Sequence, residues 1–146
     1  MLRRTTDAER ERLHATFATL CRIESPSGHE RPCADWLTDQ LRALGLAVEE
    51  DDAGAAVGAD AGNLLTRIPG RSDQSILLCA HMDTVPLAAA VAPVIVDGAW
   101  TNANAGILGA DNKSAIAFAA ATTALRPVSG RTPAWAARPR SSATIR

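Results

Sequence analysis

The chain has 146 residues, 47% of them hydrophobic and 21% charged, with a formal net charge of −1. A chain of that length can bury one sizeable core, so a single globular domain is expected. Near-neutrality gives no reason to expect a nucleic-acid partner, and no apolar run has the length of a membrane span or the form of a signal peptide, so a cytoplasmic location is expected.

The charge is unevenly spread. Residues 1–126 carry −5 (eleven basic and sixteen acidic side chains), whereas residues 127–146 carry four arginines and no acid. That tail has no hydrophobic periodicity and is expected to be disordered or out of frame, since it cannot bury enough apolar surface to offset its ordering entropy. The domain reading is therefore residues 1–126 as one folded unit followed by a basic low-complexity tail. Cys21, Cys33 and Cys79 are an odd number with no close pairing, and buried thiols rather than disulfides are expected.

Thr6-Asp7-Ala8-Glu9 is a capping box, and Leu13, Phe17, Leu20 and Cys21 follow at helical spacing, predicting a helix to about residue 22. Ser27-Gly28-His29-Glu30 has the pattern of a second capping box, opening a helix with Cys33, Trp36, Leu37, Leu41 and Leu44 as its stripe and Gly45 at its end. Leu46–Glu50 alternates like a strand, Asp51–Gly62 is loop-like, and Asn63–Ile68 reads as another strand ended by Pro69-Gly70. Ile76–Ala80 is continuously apolar, as a strand covered on both faces would be. Val94, Ile95 and Val96 make a short strand before the Asp97-Gly98 turn. Asn112–Leu125 is an Ala-rich helix that Pro127 ends. Two helices, strands and a closing helix indicate a three-layer α/β architecture, visible only in part.

The chemistry concentrates where the apolar run at 76–80 stops. His81 and Asp83 are two residues apart, so in extended chain both side chains point to one side. The carboxylate can accept a hydrogen bond from one ring nitrogen and leave the other free as a metal ligand. Gly109-Ala110-Asp111-Asn112-Lys113 brings a further carboxylate to a helix start, where an N-cap is the competing role for Asp111. Asp111-Asn112-Lys113-Ser114 is not the end of a phosphate-binding loop. The glycines such a loop needs one and six places before its lysine are replaced by Asn112 and Ile107. His14 and His29 belong to no motif and are expected to be solvated.

His81-Met82-Asp83-Thr84-Val85-Pro86 together with Gly109-Ala110-Asp111-Asn112-Lys113 resembles the paired signature of the co-catalytic zinc exopeptidases. That family includes tripeptide aminopeptidase (peptidase T), aminoacylase and succinyl-diaminopimelate desuccinylase. The likeness also takes in Ser25-Pro26-Ser27-Gly28-His29-Glu30, Gly62-Asn63-Leu64 and Ile107-Leu108-Gly109, and is strongest to the peptidase T-like branch. It implies an incomplete catalytic domain of the phosphorylase/hydrolase-like fold and an N-terminal fragment of a metallohydrolase acting on short peptides or N-acyl amino acids. By that resemblance His81 ligates one Zn2+, Asp111 bridges two, and Asp83, the catalytic residue carried over, orients His81. Other divalent ions suit the same donors, and the bond after the bridging Asp is expected to be cis. The family's Glu general base and remaining ligands have no counterpart here, because no Asp or Glu follows Asp111. By the same resemblance the family's smaller lid or dimerisation domain, through which intact relatives could form homodimers, is expected to be absent. The isolated chain is therefore expected to be inactive; the alternative is a non-catalytic interaction module whose sheet edge is left unpaired.

Overall fold

The computed structural model describes residues 4–70 and 72–124. Helix α1 (Asp7–Arg22) begins as expected. The Thr6 hydroxyl accepts from the Glu9 amide and the Glu9 carboxylate accepts from the Thr6 amide, satisfying two amides that the helix leaves free. Helix α2 (Arg31–Ala43) does not use the second capping box. Its N-cap is Glu30, with no side-chain cap bond and a proline in the first turn, and Ser27 is committed elsewhere. After Leu44 the amide of Gly45 bonds to Arg42 and that of Leu46 to Leu41, which closes the helix.

Strands β1 (Val48–Glu50) and β2 (Leu64–Thr66) pair antiparallel, Glu49 opposite Leu65. The intervening loop holds a single helical turn, α3 (Ala53–Val57), that sequence periodicity did not reveal. Strands β3 (Pro93–Val96) and β4 (Ala99–Asn102) form a hairpin with Val96 opposite Ala99. Its turn has φ of 51° at Asp97 and 79° at Gly98, both positive as a two-residue hairpin turn demands, and Asp-Gly is a sequence that tolerates them. The return strand β4 was not foreseen, because Ala-Trp-Thr-Asn carries little alternation.

Helix α4 (Ala110–Ala124) packs along α1. The core joins Phe17, Leu20 and Cys21 of α1, Cys33 and Leu37 of α2, Val91, and Ile116 and Ala117 of α4, with Trp100 of β4 and Met82 against its margin. Burial pushes the Cys21 thiol up to about 11 and raises that of Cys33.

The apolar run at 76–80 departs from expectation. It joins no ladder among the described residues, and Ile76, Leu77 and Leu78 are 89%, 80% and 58% exposed, with Cys79 exposed beside them. A strand of that composition becomes a covered central strand only when neighbours flank it, and the described residues supply none. The sheets among the described residues are two separate antiparallel pairs. The tail expected at 127–146, and the helix end at Leu125 and Pro127, lie outside the described residues.

Arg31 ties α2 to the β1–β2 unit. Its guanidinium donates to Glu50, to Asp35 and to the Asp60 carbonyl, while its amide donates to Asp60 Oδ1 at 2.8 Å. Held by Arg31 and by the Gly62 amide, the Glu50 carboxyl is lowered from 4.5 to about 2. A depressed carboxyl contributes stability that is complete above its unfolded pKa and is lost as pH falls through the folded one. Urea unfolding of the wild type should therefore lose this contribution between about pH 4.5 and pH 2. An Arg31→Met variant should be less stable near pH 6, with a smaller deficit at pH 2, where the lost bonds to the Asp60 carbonyl still count.

Candidate functional site

The site is assembled from three segments distant in sequence: the 23–28 turn, the 81–84 loop and the first turn of α4. The first two run side by side as a one-residue parallel bridge between Pro26 and Thr84, with the Thr84 amide donating to the Ser25 carbonyl at 2.8 Å. The Ser25 hydroxyl donates to the Met82 carbonyl at 2.8 Å. That hydroxyl in turn accepts from Lys113 Nζ at 2.7 Å, and Nζ also donates to the Ile23 carbonyl at 3.1 Å. Lys113 is only 1% exposed, and its ammonium lies 3.7 Å from Cys33 Sγ. Burial lowers its pKa. One cation thus binds the end of α1, the 23–28 turn and α4 to the loop that carries His81.

On the outer side of that scaffold His81 and Asp83 meet as their spacing predicts. His81 Nδ1 lies 2.8 Å from Asp83 Oδ1 and 3.0 Å from the Asp83 carbonyl, so the ring nitrogen on this side serves as the donor. The other carboxylate oxygen, Oδ2, accepts from the Ser27 hydroxyl. His81 Nε2 faces Asp111 Oδ1 at 3.4 Å. Gly109, at φ 70°, turns the chain just before Asp111, in a backbone conformation that glycine adopts without a steric penalty. The Asp111–Asn112 peptide bond is cis, and Asp111 and Asn112 have non-helical backbone within α4.

The electrostatics follow from these contacts. Ser27's hydrogen bond is the main cause that lowers the Asp83 carboxyl, with His81 adding to it. Burial works against charge on His81, but the bonds and charge of Asp83, together with Asp111, outweigh it and raise its pKa. In its neutral form the ring donates from Nδ1 and turns the Nε2 lone pair toward the Asp111 carboxylate. Two acceptors then face each other, an arrangement relieved by a proton or a metal cation between them. Among the described residues no cluster of three or more His, Cys, Asp or Glu side chains is arranged to hold a metal.

His14 and His29 are both exposed, as expected of histidines outside the motifs. The His14 ring lies edge-on to Trp100 at 5.7 Å, and His29 Nδ1 is 3.8 Å from Asp60. Sequence reasoning gave no role to Lys113 or to Ser25. The signal for the first was a lysine three and four residues before Ile116 and Ala117, on the apolar face of an Ala-rich helix.

No family model matches the chain. It is 32% identical over 122 residues to the cytosol non-specific dipeptidase of Escherichia coli, an alignment covering 74% of this chain and 23% of the dipeptidase. A tripeptidase from Staphylococcus aureus superposes with a TM-score of 0.64 at 32% identity, over 77% of this chain and 31% of that one. Aminopeptidase PepT from Bacillus cereus superposes with a TM-score of 0.69 at 33% identity, over 78% and 31%. These likenesses define the class: the chain resembles peptidases, hydrolases of amide bonds, in both sequence and fold. Within that class it is a peptidase T-like segment, spanning about a third or less of the length of the relatives it matches.

Replacing Lys113 removes the cation that joins the three segments. Lys113→Ala should cost about 2–4 kcal/mol in urea unfolding, from lost charged hydrogen bonds and the cavity left behind. Lys113→Met, which keeps the volume, should cost less.

Proposed function

We propose that the chain supplies the His81–Asp111 half of a Zn2+-dependent metallohydrolase, a peptidase T-like aminopeptidase or amidohydrolase acting on short peptides or N-acyl amino acids. The observation that carries this reading is the pair of acceptors, His81 Nε2 and Asp111 Oδ1, facing each other at 3.4 Å. The donor set fits a divalent cation. The imidazole is oriented through its far nitrogen by Asp83, and the carboxylate has two hard oxygens with which to bridge. Asp111 is the exposed partner, its side chain 95% accessible, and so has a free oxygen for a second ion. A bound Zn2+ would polarise the scissile carbonyl.

This chain's own residues hold and orient; they do not complete the chemistry. Asp83 keeps the proton on Nδ1 and thereby leaves Nε2 free to donate its electron pair. No Asp or Glu follows Asp111 in the sequence, so the 146-residue polypeptide brings no acidic general base from that region. The proposal extends to a three-layer α/β arrangement and to a cytoplasmic setting. No helix among the described residues is long and apolar enough to cross a membrane.

Calorimetric titration with Zn2+ should show weak binding to the wild type and none to His81→Ala or Asp111→Asn. Because the His81 pKa is raised above the ordinary 6.5, protons compete from a higher pH than usual, and affinity should fall as pH is lowered through that range. Zinc-dependent tripeptide hydrolysis should be absent from the 146-residue chain. Its presence, or Zn2+ affinity unchanged in both variants, would overturn the reading.

The exposure of Ile76, Leu77 and Leu78 favours a second reading, a non-catalytic module that associates through this apolar segment. Size-exclusion chromatography should then show oligomers that Leu77→Lys converts to monomer.

A further inference from the structure

Ser27 was expected to cap α2, and in the fold it does not. Its turn is held by other means: the Glu30 carboxylate accepts from the Gly28 amide at 2.8 Å, and the His29 amide donates to the Pro26 carbonyl at 2.8 Å. The hydroxyl this releases points across to a different segment and donates to Asp83 Oδ2. Asp83 therefore has one oxygen on Ser27 and the other on His81 Nδ1.

We infer that Ser27 is a positioning residue, which fixes the Asp83 carboxylate so that His81 carries its proton on Nδ1 and presents Nε2 toward Asp111. The inference rests on the metal-site reading for its functional meaning, but its structural content stands without a metal.

The physical need is plain. A neutral imidazole has two tautomers, and the one adopted depends on what the ring nitrogens meet. Asp83 is partly exposed, with 35% of its side chain accessible, so one contact to His81 would leave the carboxylate free to rotate toward water. The second anchor removes that freedom. Ser27 itself is carried by the Ser25–Gly28 turn, whose Ser25 carbonyl and hydroxyl hold the Thr84 amide and the Met82 carbonyl on either side of Asp83. Donor, carboxylate and ring are thus referenced to one rigid turn. A residue that acts on the ligand through Asp83 affects ion affinity less than one that touches the ligand directly.

The test uses the full 146-residue chain with 15N-labelled histidine. The sequence has three histidines, so His14→Gln and His29→Gln spectra assign the His81 signals. Long-range 1H–15N correlations should show wild-type His81 with its proton on Nδ1. Ser27→Ala should shift His81 toward the Nε2–H form while leaving His14 and His29 unchanged, and Ser27→Thr, which keeps the hydroxyl, should restore the wild-type pattern. Ser27→Cys, near-isosteric with a weaker donor, should be intermediate, and it serves if Ser27→Ala fails to fold. An unaltered His81 pattern in a folded Ser27→Ala or Ser27→Cys chain, or wild-type His81 already protonated on Nε2, would overturn the inference. In a parallel Zn2+ titration Ser27→Ala should bind about 3- to 10-fold more weakly, below the roughly 10- to 100-fold typical of direct partners of a ligand. If the wild type binds no Zn2+ while the tautomer still responds to Ser27, the metal reading fails and the positioning role survives.

Discussion

A single buried ammonium holds this architecture together. Lys113 has almost no contact with water, and an unpaired charge in that setting would be prohibitively costly. It is kept there by neutral oxygen acceptors, the Ile23 carbonyl and the Ser25 hydroxyl, which replace part of its hydration. The dependence runs both ways. Without the cation, Ser25 would lose the donor that orients its hydroxyl, and with it the alignment that lets the same hydroxyl support the Met82 carbonyl. The surrounding helices supply the apolar enclosure, while this polar post decides how the 81–84 loop sits upon them.

The outer groups divide the work according to exposure. Lys113 and Ser25 are buried and set positions, whereas His81 and Asp111 are open to solvent and available to a ligand. Between them lie Asp83, partly covered, and the exposed Ser27, which link the imidazole to the turn below. Such layering explains how two side chains on solvent-facing segments hold a defined mutual geometry without packing of their own.

The sequence disclosed the ends of this chain of cause and effect better than its middle. The α1 cap, the stop at Gly45, the Asp97-Gly98 turn and the His81–Asp83 contact are local, set by residues within a few positions of one another, and all were legible. The convergence of His81 on Asp111 is long-range; it was anticipated through the likeness of two motifs to a family, since spacing alone could not place one against the other. Ser27 illustrates how local logic fails. Its capping pattern did not form, because the helix starts later with Glu30 as its N-cap, and the Ser27 hydroxyl donates across to Asp83 instead. The run at 76–80 failed for the opposite reason, because periodicity reports what a segment needs and not whether a neighbour is present to supply it. Lys113 was hidden by its type, since lysine is ordinarily a surface residue.

The Lys113 post has a bearing on biosynthesis. Every donor and acceptor that orients the imidazole lies between Ile23 and Lys113, so the geometry is encoded within a contiguous stretch of polypeptide. A growing chain would possess all of it once α4 had cleared the ribosome and docked on α1. Whatever partners the waiting imidazole and carboxylate acquire afterwards would then meet a preformed surface, and the ordering cost of this half would already have been met.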